Sequence, residues 1–121
     1  PGMSPLLLEA LSSHGGIILP GIASASEAMT RFDEGFGIMK FFPAEAAGGA
    51  PFLKSLAGPL PHMDFMRTGG ITPQNAADYL ALPNVIAVGG SWIATKADMA
   101  AGDSDAIAAK AAEAVKIGRG K

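Results

Sequence analysis

Apolar and polar positions along this chain follow two periods. Short apolar runs, each closed by Gly, Pro, Thr or Ser, alternate with longer segments whose apolar residues recur every three or four positions. The runs Ile17-Ile18-Leu19-Pro20-Gly21, Gly37-Ile38-Met39-Lys40-Phe41-Phe42-Pro43, Met63-Asp64-Phe65-Met66 and Val85-Ile86-Ala87-Val88 predict strands. Between them lie helix signals. Ser4-Pro5 pairs an N-cap with proline at the first helical position, ahead of a stripe of Leu6, Leu7, Ala10 and Leu11 that stops at Gly15-Gly16. Ser24 and Glu27 have capping-box spacing before Ala28, Met29 and Phe32. Pro51 opens a helix with Phe52, Leu53 and Leu56 inward, and Thr72-Pro73 opens one that runs through Tyr79 to Leu82. A short helix over Lys96 to Ala101 precedes a last one, capped by Ser104, with Ile107, Ala111, Ala114 and Val115 on one face. The terminal Gly118-Arg119-Gly120-Lys121 is expected to fray.

Strand starts near positions 17, 37, 63 and 85 with one helix between each pair make a βα repeat, and crossovers of that kind force a parallel sheet. The strands read as apolar on both faces, as strands covered by helices on both sides do. Four strands cannot close a (β/α)8 barrel, which needs ~200 residues or more. Two readings follow: a compact open α/β domain, or one incomplete domain over residues 1–121 that forms the second half of a barrel, strands five to eight. No GxGxxG follows the first strand, so a dinucleotide fold has no support.

Composition narrows the function. A chain of 121 residues with 49% hydrophobic and 17% charged positions can build one core. The net charge of −2, with scattered Lys and Arg, disfavours a nucleic-acid partner. There is no cysteine, which fits a reducing cytoplasm and excludes thiolate chemistry. No apolar run approaches the ~20 residues of a membrane span. The opening Pro-Gly-Met-Ser-Pro lacks the basic region of a signal peptide. His14 and His62 have no ligand spacing, so a metal site is not expected; no cofactor is expected either.

Lys40 is the strongest chemical signal. It stands alone in the apolar run Ile38-Met39-Lys40-Phe41-Phe42, and burying an unpaired ammonium is costly. Desolvation favours the neutral amine, which attacks carbonyl carbons, so Lys40 is a candidate Schiff-base residue. The competing reading has it snorkelling to the strand end or pairing with Glu45. Thr68-Gly69-Gly70 and Gly89-Gly90-Ser91 follow the third and fourth strands, where parallel sheets place their ligands; paired glycines expose N–H groups suited to phosphate. They are equally compatible with tight turns that merely need glycine.

The run Lys40-Phe41-Phe42-Pro43-Ala44-Glu45-Ala46-Ala47-Gly48-Gly49 resembles the 2-keto-3-deoxy-6-phosphogluconate (KDPG) aldolases, including those that also cleave 4-hydroxy-2-oxoglutarate (KHG). Leu19-Pro20-Gly21-Ile22, Thr68-Gly69-Gly70-Ile71, Asp78-Tyr79-Leu80-Ala81-Leu82 and Gly89-Gly90-Ser91-Trp92 match in the same order. The resemblance implies a class I aldolase on a (β/α)8 barrel. It cleaves KDPG to pyruvate and glyceraldehyde 3-phosphate, and KHG to pyruvate and glyoxylate, as a cytoplasmic homotrimer of the Entner–Doudoroff pathway. It places Lys40 on the Schiff-base lysine, Phe42 on the wall of the pyruvate pocket and Thr68 on a substrate contact. Gly69, Gly70, Gly89, Gly90 and Ser91 fall on the phosphate turns.

Two departures accompany it. Arg67 stands where the family usually has a small residue or proline, and is expected either to contact phosphate or to lie on the surface. The family's acid/base glutamate and carboxylate-binding arginine lie in the first half of its barrel, which nothing here matches; the expectation is a C-terminal fragment, inactive alone. The alternatives are a non-catalytic phosphate-binding module, and a structural half barrel that pairs with a second copy.

Overall fold

The computed structural model describes residues 1–120. Four strands, β1 (Gly21–Ile22), β2 (Ile38–Phe41), β3 (Asp64–Thr68) and β4 (Val85–Gly89), form one parallel sheet in the order β1-β2-β3-β4. Around it run α1 (Pro5–Ser12), α2 (Ala25–Asp33), α3 (Gly49–Leu56), α4 (Pro73–Leu80), α5 (Lys96–Ala101) and α6 (Ser104–Arg119), with a 3₁₀ turn over Ser91–Ile93. Lys40 pairs with Gly21 and Met66, and Thr68 with Gly89, so the ends of β2, β3 and β4 lie side by side. A register irregularity falls between Phe65 and Met66.

Local chemistry explains most boundaries. Ser4 Oγ accepts from Leu7 N, and Ser24 Oγ from Glu27 N, so both expected caps form. Glu27 reaches past Ser24 to accept from Ala23 N at 2.7 Å. Asn75 Oδ1 accepts from Thr72 N at the start of α4. The last helix is capped by Asp103, whose carboxylate accepts from Ala106 N, one residue earlier than Ser104. That helix runs through Gly118 and Arg119 instead of fraying there; Lys121 lies outside the described residues. Its packed residue near the end is Ile117, while Val115 faces solvent.

Strand-like composition misleads at Ile17. It is 98% exposed, and the ladder begins only where Pro20 O accepts from Lys40 N. The sheet is also not covered on both faces. Met39, Phe41, Phe65 and Arg67 point to one face, where they are fully buried beneath Leu53, Leu56, Ala76 and Tyr79; the Phe41 and Phe52 rings stack at 5.3 Å. On the other face lie Ile38, 41% exposed, with Lys40, Met66 and Thr68 half-buried. The uncovered face is the one that lines the interior of a (β/α)8 barrel, so the fold is the C-terminal half of that architecture. Leu6 of α1 and Met29 and Phe32 of α2 are exposed, against the amphipathic expectation for all three.

Candidate active site

The site forms where β2, β3 and β4 end. Period-two alternation puts Lys40 and Phe42 on the open face, together with Met66 and Thr68 of the neighbouring strand. Lys40 is half-buried, and its Nζ lies 5.2 Å from the centre of the Phe42 ring. No carboxylate pairs with it among the described residues. Glu45, the partner considered from sequence, is turned to the other face.

Beyond Phe42 is a cavity of about 460 Å³ lined by that ring and by residues 68–72 and 89–91. Phe42, Thr68, Gly69, Gly70, Gly89, Gly90 and Ser91 thus share one cavity, as their common position after successive strands suggested; Lys40 stands beside it and does not line it. Gly69 and Gly70 have φ of +94° and +73°, the left-handed region that glycine enters without strain. Thr68 Oγ1 is buried at this cavity and has no hydrogen-bond partner among the described residues. The cavity's backbone amides and hydroxyls suit an oxyanion. A separate cavity of about 260 Å³, between Leu80, Ile86, Trp92, Ala114 and Ile117, has no titratable group on its walls.

Arg67 corrects both of its expected readings. It is neither exposed nor aimed at the cavity: it is 0% exposed on the helix-covered face, its guanidinium 3.3 Å from the centre of the Tyr79 ring. Nη2 donates to Glu45 Oε1 at 2.5 Å, and Tyr79 OH donates to the same oxygen. Burial lowers the Arg67 pKa from its ordinary value, against the pull of Tyr79 and Glu45. Burial first, then the bond to Glu45, raises the Tyr79 phenol from 10.0 to about 12. Alternation along β3 carries this signal, because residue 67 shares a face with Phe65. Sequence reasoning also missed Ile71 and Thr72 as cavity walls. His14 and His62 are exposed. Among the described residues no cluster of His, Asp and Glu could hold a metal, and no helix is long and apolar enough to cross a membrane.

The profile of the KDPG and KHG aldolase family matches residues 1–110. The chain belongs to that family. A 2-dehydro-3-deoxy-phosphogluconate aldolase of Pseudoalteromonas atlantica is 48% identical over 115 residues, covering 95% of this chain and 54% of the relative. The chain therefore spans about half the length of this aldolase. A KDPG aldolase of Legionella pneumophila, with pyruvate captured as a covalent carbinolamine, superposes with a TM-score of 0.87 at 42% identity, over 91% of this chain and 53% of that one. The Zymomonas mobilis KDPG aldolase with 3-phosphoglycerate gives 0.81, also at 42% identity, over 94% and 53%. This aldolase-family chain thus carries its lysine strand and glycine turns on a fold matched by solved structures of full aldolases.

Proposed function

We propose that this chain is the lysine- and phosphate-bearing half of a class I aldolase that cleaves KDPG to pyruvate and glyceraldehyde 3-phosphate, and KHG to pyruvate and glyoxylate. The observation that carries the reading is placement: Lys40, unpaired with any carboxylate among the described residues, shares the open face with Thr68 and abuts the turn-lined cavity through Phe42. Lys40 in its free-base form attacks the C2 ketone, and loss of water gives an iminium. The iminium draws the electron pair of the C3–C4 bond as that bond breaks and releases the aldehyde. The resulting enamine is protonated, and hydrolysis frees pyruvate and returns the amine. Proton transfers need an acid/base group from the other half of the barrel, so the isolated half is inactive or nearly so. Phosphoryl binding at residues 68–70 and 89–91 orients the ketone toward the amine. The Legionella carbinolamine and the Zymomonas 3-phosphoglycerate complex support the two halves of this chemistry. The complete enzyme acts as a cytoplasmic homotrimer of the Entner–Doudoroff pathway, a reading that rests on family resemblance alone.

Borohydride reduction in the presence of pyruvate tests the lysine. The complete polypeptide gains a reduced pyruvyl adduct, and peptide mapping places it on Lys40. An adduct on another lysine, or none, removes the assignment. The exclusion of Lys40 from the cavity lining favours one second reading, a phosphate-binding module without catalysis.

A further inference from the structure

Two side chains outside the cavity grip the carbonyls of the turn that lines it. Arg67 Nη2 donates to Gly69 O at 3.4 Å, and Asn75 Nδ2 donates to Gly70 O at 3.0 Å. In a planar trans peptide, a carbonyl and the N–H of the next residue point in opposite directions. Gripping these two carbonyls therefore aims the Gly70 and Ile71 N–H groups the other way. Neither N–H has an acceptor among the described residues, and both residues line the cavity. Successive N–H groups presented by such a turn form an anion-binding concavity.

What braces Arg67 is out of proportion to a filler role. A fully buried guanidinium is costly unless paired, and this one is stacked on Tyr79 and bonded to Glu45. Glu45 belongs to the loop after the lysine strand, Arg67 to β3 and Tyr79 to α4, so one carboxylate oxygen ties three elements together. A second tie joins the loop after β2 to the end of β3, since Ala44 N donates to Thr68 O at 3.2 Å. Glu45 also packs against the turn itself: a Cβ on Gly70 would lie 2.7 Å from Glu45 Cγ.

We propose that Arg67 is a positioning residue for the phosphoryl group, braced by Glu45 and Tyr79. It holds the Gly69 carbonyl toward the helix layer so that the Gly70 N–H faces the ligand. This rests on the reading of the cavity as the phosphoryl site. Arg67 acts through the backbone and lies on the opposite sheet face from Lys40.

The test compares Arg67→Lys and Arg67→Met with wild type in the complete polypeptide, using KDPG and the unphosphorylated KHG. One lost charged contact raises KM for KDPG about 3- to 10-fold with little change in kcat. Both constants for KHG stay within about 2-fold, because no phosphoryl group is involved. Equal losses on both substrates, or no loss on KDPG, overturn the proposal. If Arg67→Met does not fold, Arg67→Lys carries the test, since lysine keeps a cation but lacks the planar guanidinium that stacks on Tyr79 and aims its Nη2 at both Glu45 and Gly69. If wild type fails to trap pyruvate, the aldolase reading falls while this one is still readable. Inorganic phosphate titrated into wild type and Arg67→Lys, followed by phosphorus NMR, then binds several-fold more weakly to the variant. Equal affinity, or no binding to wild type, overturns it.

Discussion

Lys40 and Phe42 are bound into one unit: the Lys40 Nζ stands 5.2 Å from the centre of the Phe42 ring, and that ring is a wall of the turn-lined cavity. Phe42 directly follows β2, two positions past Lys40, and the alternation of the strand carries on to put both on one face. A single ring therefore separates the candidate nucleophile from the candidate phosphoryl site.

Replacing Lys40 by Met separates catalysis from binding. In the complete polypeptide, Lys40→Met forms no borohydride-stable adduct and loses kcat by on the order of 10³-fold or more. Phosphate affinity, measured by NMR titration, remains within about 2-fold of wild type, because the cavity is lined by other residues. Retained aldol cleavage would rule out the amine as nucleophile.

Gly90 has no room for a side chain. A Cβ there would lie 1.6 Å from Trp92 Cζ3, so the indole must move. Gly90→Ala is expected to destabilise the fold by about 1–3 kcal/mol in urea unfolding. The chain has a single tryptophan, so its fluorescence reports the displacement directly. Unchanged emission and midpoint would contradict the close approach of the Trp92 ring to Gly90.

Tyr79 is the only tyrosine, so phenolate absorbance follows its ionisation without interference. It titrates near 12 in the folded chain, raised by burial and by its bond to Glu45, and near 10.0 once unfolded. The folded state holds this proton more tightly, so between those values the unfolded state binds fewer protons and stability falls as pH rises. Below pH 10.0 the contribution is fully present. Tyr79→Phe removes this dependence; a folded titration at the ordinary value would show the phenol to be solvated.

Asp98 joins α5 to α6. Its carboxylate accepts from Lys110 Nζ at 2.6 Å and from Thr95, and these bonds, Lys110 first, hold its pKa at about 2 against an ordinary 3.8. The folded state favours the ionised form, so the contribution is present above 3.8 and is lost as pH falls through about 2. Wild type is therefore more stable than Asp98→Asn at neutral pH, and their acid-unfolding curves converge as pH falls across that range. A gap that persists below pH 2 would place the effect of Asn elsewhere.

The helix caps at Ser4 and Ser24, the order of the βα units and the clustering of residues 68–70 with 89–91 were legible because each depends on local chemistry or on strand ends that a parallel sheet must align. Ile17 was misread because an apolar run carries no mark of whether a ladder partner exists. Leu6, Met29 and Phe32 have helical spacing yet face solvent, because amphipathicity states that a face can be buried and not what buries it.

By itself the sequence determined which segments pair in parallel, that one lysine sits within an apolar strand, and that glycine turns follow successive strands: periodicity and turn chemistry act over a few residues. Only the tertiary structure decided that Lys40 lies beside the cavity and outside its walls, that Glu45 turns away from Lys40, and that Arg67 is buried against Tyr79. Those outcomes depend on which sheet face the helices cover, and that face is chosen by contacts between residues far apart in the chain.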